Sequence, residues 1–143
     1  MTDDERSEVA DELAIRNLLA ALSWHADTTT MEDLDSYVAC FTEDAMWEML
    51  GDVRRGHAEI LAGAQERRRN GTNGPGTDVR HSLSMTVVEF PEPGRAVARS
   101  YIQAYRTAST APSLFMMGEY HDAFRRTPEG WRLVHRKVDF RAP

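Results

Sequence analysis

The stretch Ile15-Arg16-Asn17-Leu18-Leu19-Ala20-Ala21-Leu22-Ser23-Trp24-His25-Ala26-Asp27 decides how this chain is read. Ile15, Leu18, Leu19, Leu22 and Ala26 recur at helical offsets and make one apolar stripe toward a core. The pattern reaches back to Ser7. Glu8, Asp11 and Glu12 crowd its early turns, where negative charge complements the helix dipole. Thr28-Thr29-Thr30 ends it. Asp27 therefore falls in the last turn or just beyond it, a carboxylate at the negative pole of the helix, with Ala20 and Trp24 as apolar neighbours.

Downstream, Thr30 with Asp33 resembles a capping box. A short helix follows, with Leu34, Tyr37, Val38 and Phe41 facing inward. Thr42-Glu43-Asp44 reads as a turn, Ala45 to Leu50 as a first strand, Gly51-Asp52 as a tight hairpin turn and Val53 to Arg55 as the return strand. A third helix spans His57 to Arg69, with Ile60, Leu61 and Ala64 apolar and Asn70-Gly71 as its stop signal. The glycine-rich run from Gly71 to Thr77 is a surface connection, with a lid as the other reading. The remainder is strands: His81 to Phe90, Arg95 to Arg106, Leu114 to Arg126 with a bulge at Gly118, and Trp131 to Phe140. Turn signals at this spacing point to an antiparallel meander. Helices first and sheet later is an α+β order, in one domain over residues 1–143.

The totals bound the function. The 143 residues carry a net charge of −6 and 41% hydrophobic residues, the balance of a soluble globular domain. Nucleic-acid binders show the opposite charge, with Lys and Arg on one face. The basic run Arg67-Arg68-Arg69 reads as a solvated helix end rather than a phosphate patch. No stretch is long and apolar enough to cross a bilayer, and the acidic start Met1-Thr2-Asp3-Asp4-Glu5 is unlike a secretory signal. A cytoplasmic protein without membrane or nucleic-acid partners is the expectation. The single cysteine, Cys40, excludes a disulfide within the chain and reads as a buried, inert thiol. No metal motif, phosphate loop or serine-nucleophile elbow occurs, so no metal site is expected.

Two residues could carry chemistry. Asp27 is placed to serve as a base, although composition alone favours an exposed helix-end carboxylate. His81 opens a strand, and period-two alternation puts Leu83, Met85 and Val87 on its face. It should point into an apolar interior, where many histidines are simply core or rim residues. Together they would form a carboxylate–imidazole pair suited to moving a proton. Spacing alone does not join them. Trp47 fits the core. Arg136 could be a solvated edge residue or an anion-holding group inside. His25, His57, His121 and His135 show no comparable pattern.

Ala14-Ile15-Arg16-Asn17-Leu18-Leu19, Asp27, Tyr37-Val38-Ala39-Cys40-Phe41-Thr42-Glu43-Asp44-Ala45, Arg80-His81-Ser82 and Gly130-Trp131-Arg132-Leu133 follow in an order that resembles the SnoaL-like branch of the nuclear-transport-factor-2-like (NTF2-like, cystatin-like) superfamily. Within it the chain looks most like scytalone dehydratase, bile-acid 7α-dehydratase and hexachlorocyclohexane dehydrochlorinase. The resemblance implies a strongly curved, mostly antiparallel sheet wrapped around the N-terminal helices. It implies an apolar pocket and no cofactor. Asp27 and His81 would be the catalytic pair, with His81 taking a proton from carbon in a dehydratase-like elimination or an isomerisation. Trp24 and Trp47 would wall the pocket of a small cyclic or polyketide-like substrate. Some members carry a Lys or Tyr five residues before the Asp, where this chain has Leu22, so Tyr101, Tyr105 or Arg136 would have to assist a leaving group. The alternative is a non-catalytic ligand-binding or assembly subunit, similar to the β subunits of ring-hydroxylating dioxygenases. A homodimer or homotrimer is expected in either case, because one sheet face would otherwise expose apolar strand residues.

Overall fold

A computed structural model describes residues 1–140 of the chain. Helix α1 (Asp3–Thr28) starts four residues earlier than the apolar pattern suggests. Thr2 and Glu5 form a reciprocal capping box there, with the Thr2 hydroxyl accepting from the Glu5 N–H and the Glu5 carboxylate from the Thr2 N–H. Ile15, Leu19 and Leu22 are fully buried. The capping box expected at Thr30 does not form; its hydroxyl donates to the Asp33 side chain instead of accepting from the backbone. A single 3-10 turn (Met31–Asp33) and helix α2 (Asp35–Val38) lead into the sheet, and α3 (Gly56–Arg69) follows the first hairpin.

The strands are β1 (Phe41–Met49), β2 (Asp52–Arg55), β3 (Val79–Glu92), β4 (Arg95–Arg106), β5 (Ser113–Thr127) and β6 (Gly130–Asp139). They form one mixed sheet in the order β2-β1-β6-β5-β4-β3. Every neighbouring pair is antiparallel except β1 and β6, which run parallel. A pure meander is therefore corrected at one seam: the last strand returns beside the first and closes the wide end of the sheet. Thr42-Glu43-Asp44 is not a turn but an irregular segment inside β1, where the pairing with β6 shifts register between Phe41 and Met46. The hairpin turn sits one residue earlier than expected. Leu50 and Gly51 both take positive φ (51° and 84°), the type I′ signature.

Two irregularities decide which side chains face inward. Met85 has φ 55° and lies where the β3–β4 register slips between Ser84 and Val87. This bulge reverses the alternation. Leu83 shares the inner face with His81 as expected, but Met85 and Val87 turn outward, and Thr86, Val88 and Phe90 take the inner positions. The bulge expected at Gly118 lies instead at Phe115, opposite the Ala104–Tyr105 step. Gly118 answers to a different constraint. A Cβ there would stand 2.8 Å from the Asp139 carbonyl oxygen and 2.8 Å from the Phe140 ring.

The inner face of β4 is built from Ala96, Ala98, Ser100, Ile102 and Ala104, mostly small residues that let the helices settle into the curve. Ile15, Leu19, Leu22, Leu34, Phe41, Ile60, Phe124 and Leu133 fill the core between helices and sheet. Trp131 anchors the last hairpin to α1, its indole N–H donating to Asp11 at 3.0 Å. No helix among the described residues is long and apolar enough to cross a membrane.

Replacing Gly118 with Ala is expected to lower the urea midpoint without changing the slope, by about 1–3 kcal/mol, the usual range for overpacking. An unchanged midpoint would show that the end of β6 yields freely.

Candidate functional site

Helix α1 ends with Asp27 buried at 6% exposure. A carboxylate at that pole faces unpaired carbonyl oxygens, so it needs compensation. Two groups supply it. The first is Arg68, whose Nε donates to the Thr29 carbonyl (3.0 Å) and whose Nη2 donates to the His25 carbonyl (2.9 Å). Arg68 thus caps α1 from α3, and its charge also reaches Asp27. The second is His81. Its backbone N–H donates to Asp27 Oδ2 at 3.0 Å, and its ring Nδ1 lies 2.6 Å from Oδ1.

This bidentate hold fixes both partners. The carboxylate can only accept, so Nδ1 carries the hydrogen in the neutral ring and Nε2 presents its lone pair. Nε2 has no hydrogen-bond partner among the described residues. An open pocket of about 500 Å³ lies beside the pair, lined by Ala20, Ser23, Trp24, Asp27, Arg80, His81, Ser82 and Leu83. Trp24 borders it at 68% exposure, a rim residue rather than an interior wall.

The other sequence candidates lie elsewhere. Tyr101 and Tyr105 occupy outward positions of β4, on the opposite face from Ala98, Ser100, Ile102 and Ala104. Alternation alone separates them from the pocket, and they are not placed to assist a leaving group there. Leu22 is buried in the core. Trp47 is buried and adjoins Arg136 across the β1–β6 pair, away from the residues lining the pocket beside His81.

Arg136 is interior, not a solvated edge. It forms a two-pronged ion pair with Asp122, Nε to Oδ1 at 2.8 Å and Nη2 to Oδ2 at 3.0 Å, with both residues buried. Its guanidinium stacks 3.8 Å above the Tyr120 ring. Burial alone would favour loss of its proton, but the Asp122 charge outweighs that and holds Arg136 firmly protonated. Burial pushes the Tyr120 phenol up to about 12, despite the opposing pull of Arg136. Asp122, Tyr120 and Tyr37 were not singled out from sequence. Tyr120, Asp122 and Phe124 alternate inward along β5, which is the signal that could have found the first two.

The basic run on α3 also divides differently from expectation. Arg68 is the α1 cap. Arg67 lies 4.5 Å above the Trp47 ring, and only Arg69 is exposed like a solvated helix end. Gly74, buried at φ 103°, packs on Arg68 where a Cβ would stand 2.9 Å away, so the glycine-rich loop rests on this cap. His25 donates to or accepts from Thr29 at 2.7 Å, and burial, then the Arg68 charge, hold its imidazole below the usual range. Burial raises the Cys40 thiol, as suits an inert core residue. No cluster of metal-binding side chains occurs among the described residues.

With this geometry in view, the comparisons assign the family. The SnoaL-like domain matches residues 7–137. The chain belongs to the SnoaL-like family. Among solved structures it is similar to an NTF2-like protein with a cystatin-like fold from Novosphingobium aromaticivorans, at 26% identity and TM-score 0.80, covering 94% of this chain and 84% of that one. It also shares its fold with a candidate scytalone dehydratase from the same organism, at 16% identity and TM-score 0.74, covering 97% and 93%. The β subunit of a candidate aromatic-ring-hydroxylating dioxygenase, again from that organism, aligns at 17% identity and TM-score 0.71, covering 96% and 92%. At those last two identities the likeness speaks for the fold alone. Comparison by sequence with curated proteins gave no match.

Tyr120 offers a direct check on the interior. Its native state keeps the proton beyond the pH where an unfolded tyrosine loses it. Its contribution to stability is therefore complete below pH 10 and is lost as pH climbs toward about 12. Absorbance titration of the four tyrosines should show one late component near 12 that is missing in Tyr120→Phe. Uniform titration near 10 would contradict the burial.

Proposed function

We propose that this SnoaL-like protein is a cofactor-independent lyase or isomerase acting on a small cyclic or polyketide-like molecule. The observation that carries the reading is the two-point hold of Asp27 on His81, which leaves Nε2 without a partner in a residue that lines an open pocket. In this reading Nε2 takes a proton from a carbon next to a carbonyl. The imidazolium that forms is stabilised by Asp27, 2.6 Å from the other ring nitrogen. The electron pair left on carbon passes into the carbonyl as an enolate. The imidazolium then returns the proton at another carbon in an isomerisation, or passes it to a β-hydroxyl that departs as water as the enolate collapses to the alkene, the elimination we favour.

Ser23, Arg80 and Ser82 line the pocket with the pair and are the nearest polar groups for orienting such a substrate. A single base of this kind favours substrates whose own enol stabilises the charge, as polyketide-like ring ketones do. A cytoplasmic location belongs to the same reading.

Hydrogen–deuterium exchange at the α-carbon of 2-tetralone, followed by NMR, tests this. Asp27→Asn and His81→Gln should each slow exchange by about 10²–10⁴-fold, the usual span of general-base catalysis, with the far-ultraviolet dichroism unchanged. Wild-type rates in both variants would remove the enzyme reading.

A second reading is favoured by the outer sheet face, where Val87, Val97, Tyr101, Leu114 and Met117 are exposed. Apolar residues gathered on one face mark an association surface, and the fold is shared with a dioxygenase β subunit. An assembly subunit would use that face and have no call for the pair. Both readings include self-association through this surface. Light scattering at micromolar concentration should give the mass of a dimer or trimer, and Val97→Lys combined with Met117→Lys should shift it toward the monomer. A monomeric wild-type chain would exclude association through this face.

A further inference from the structure

Across the sheet from the Asp27–His81 pair lies a second polar centre that the reaction above does not use. Trp47 on β1 adjoins Arg136 on β6, Arg136 stacks on Tyr120 and pairs with Asp122, and Arg67 descends from α3 onto the Trp47 ring at 4.5 Å. Tyr37 lies within electrostatic reach of both Arg136 and Tyr120. These groups contain two guanidinium ions and one carboxylate.

The charges are not matched one to one. Both oxygens of Asp122 are taken by Arg136. The nearest acids on the α3 side, Asp52 and Glu66, are both held by Arg54 at 2.7 Å. The Arg67 side chain is left with the Trp47 face and no hydrogen bond or ion pair among the described residues. The Tyr37 and Tyr120 hydroxyls make no hydrogen bond there either. A half-buried arginine normally shares its five donors with a carboxylate or carbonyl. An arginine resting on tryptophan with its side-chain donors unspent, within electrostatic reach of the Tyr120 phenol, is matched to a planar anion.

We propose that Arg67, with the Tyr120 hydroxyl, binds an anionic oxygen group, a carboxylate above all, carried on a ring-containing ligand. The planar guanidinium suits a carboxylate by two parallel hydrogen bonds, and Trp47 keeps it flat and partly desolvated. This deepens the proposed function by naming ring acids as the substrate class. It rests on that reading only for the reaction, since binding at Arg67 does not require the catalytic pair. On β5, Tyr120 lies four residues from Met116, the residue aligned through Ala104 with His81. At about 3.3 Å per residue Tyr120 and His81 are offset by roughly 13 Å along the strand direction, with two strand spacings of about 4.8 Å between β3 and β5 besides.

Calorimetric titration with 2-naphthoate and its neutral counterpart 2-naphthamide tests the site. Wild-type protein should prefer the acid by at least tenfold, and the preference should shrink as sodium chloride rises. Arg67→Met should bind both equally, Arg67→Lys should keep part of the preference, and Tyr120→Phe should weaken the acid alone. His81→Gln should leave the preference intact, so loss of the exchange reaction and loss of anion recognition are read separately. Equal binding of acid and amide by the wild type, binding of neither at millimolar concentration, or an unchanged preference in Arg67→Met would each overturn the proposal and leave Arg67 as a cover for Trp47.

Discussion

Placing a buried carboxylate at the negative end of a 26-residue helix is the constraint around which this fold is arranged. Unaided, Asp27 would face the carbonyl oxygens of its own last turn out of reach of water, and a buried charge without partners is costly. The answer comes from two distant pieces of chain. Arg68, 41 positions later, takes the carbonyls. His81, 54 positions later, takes the carboxylate with its backbone and ring N–H groups. The end of α1, the end of α3 and the start of β3 are thereby tied at one point. The glycine-rich connection packs over the same arginine because Gly74 has no Cβ to collide with it. The architecture and the candidate chemistry share these hydrogen bonds.

Much of this was legible from the chain, and the parts that were not share a cause. Helical periodicity placed α1 and its stop, and turn residues placed every hairpin to within a residue or two. What failed were inferences that extended a local rule through an irregularity. Period-two alternation carried Met85 and Val87 to the inner face, but a single positive φ at Met85 reversed it. Thr42-Glu43-Asp44 has turn composition, yet β6 pairs alongside and draws the segment into the sheet. The run Arg67-Arg68-Arg69 looked uniform because sequence does not reveal that a second helix ends beside it. The capping box at Thr2 and Glu5 was readable but lay outside the apolar pattern that set the expected start of α1.

Among the candidate residues the same division holds. Asp27 and His81 have no local signal that joins them; order along the chain suggested the pair, and only the crossing of α1 with β3 brings them within 2.6 Å. Tyr101 and Tyr105 were attractive as acids by type, but their parity on β4 is that of the outer face. Arg136 could be read two ways because its partner, Asp122, lies on a neighbouring strand at a register no sequence spacing encodes. Family resemblance set Asp27 and His81 side by side, a long-range pairing that local periodicity does not carry.

The two polar centres bear differently on whether the chain is an enzyme. A buried ion pair such as Arg136–Asp122 adds little net stability over well-packed apolar residues, since desolvation offsets most of the attraction. It can nevertheless be structural, because the two side chains hold each other by two hydrogen bonds. The Asp27–His81 pair is not saturated. Its outer nitrogen has no partner among the described residues, and His81 is among the residues that line an open pocket. A purely structural role needs only the Nδ1 side of the ring, and an asparagine amide could make that bond. An imidazole adds a second nitrogen that can take up a proton. It is this second nitrogen, rather than the shared fold, that separates a catalytic SnoaL-like protein from a scaffold of the same shape.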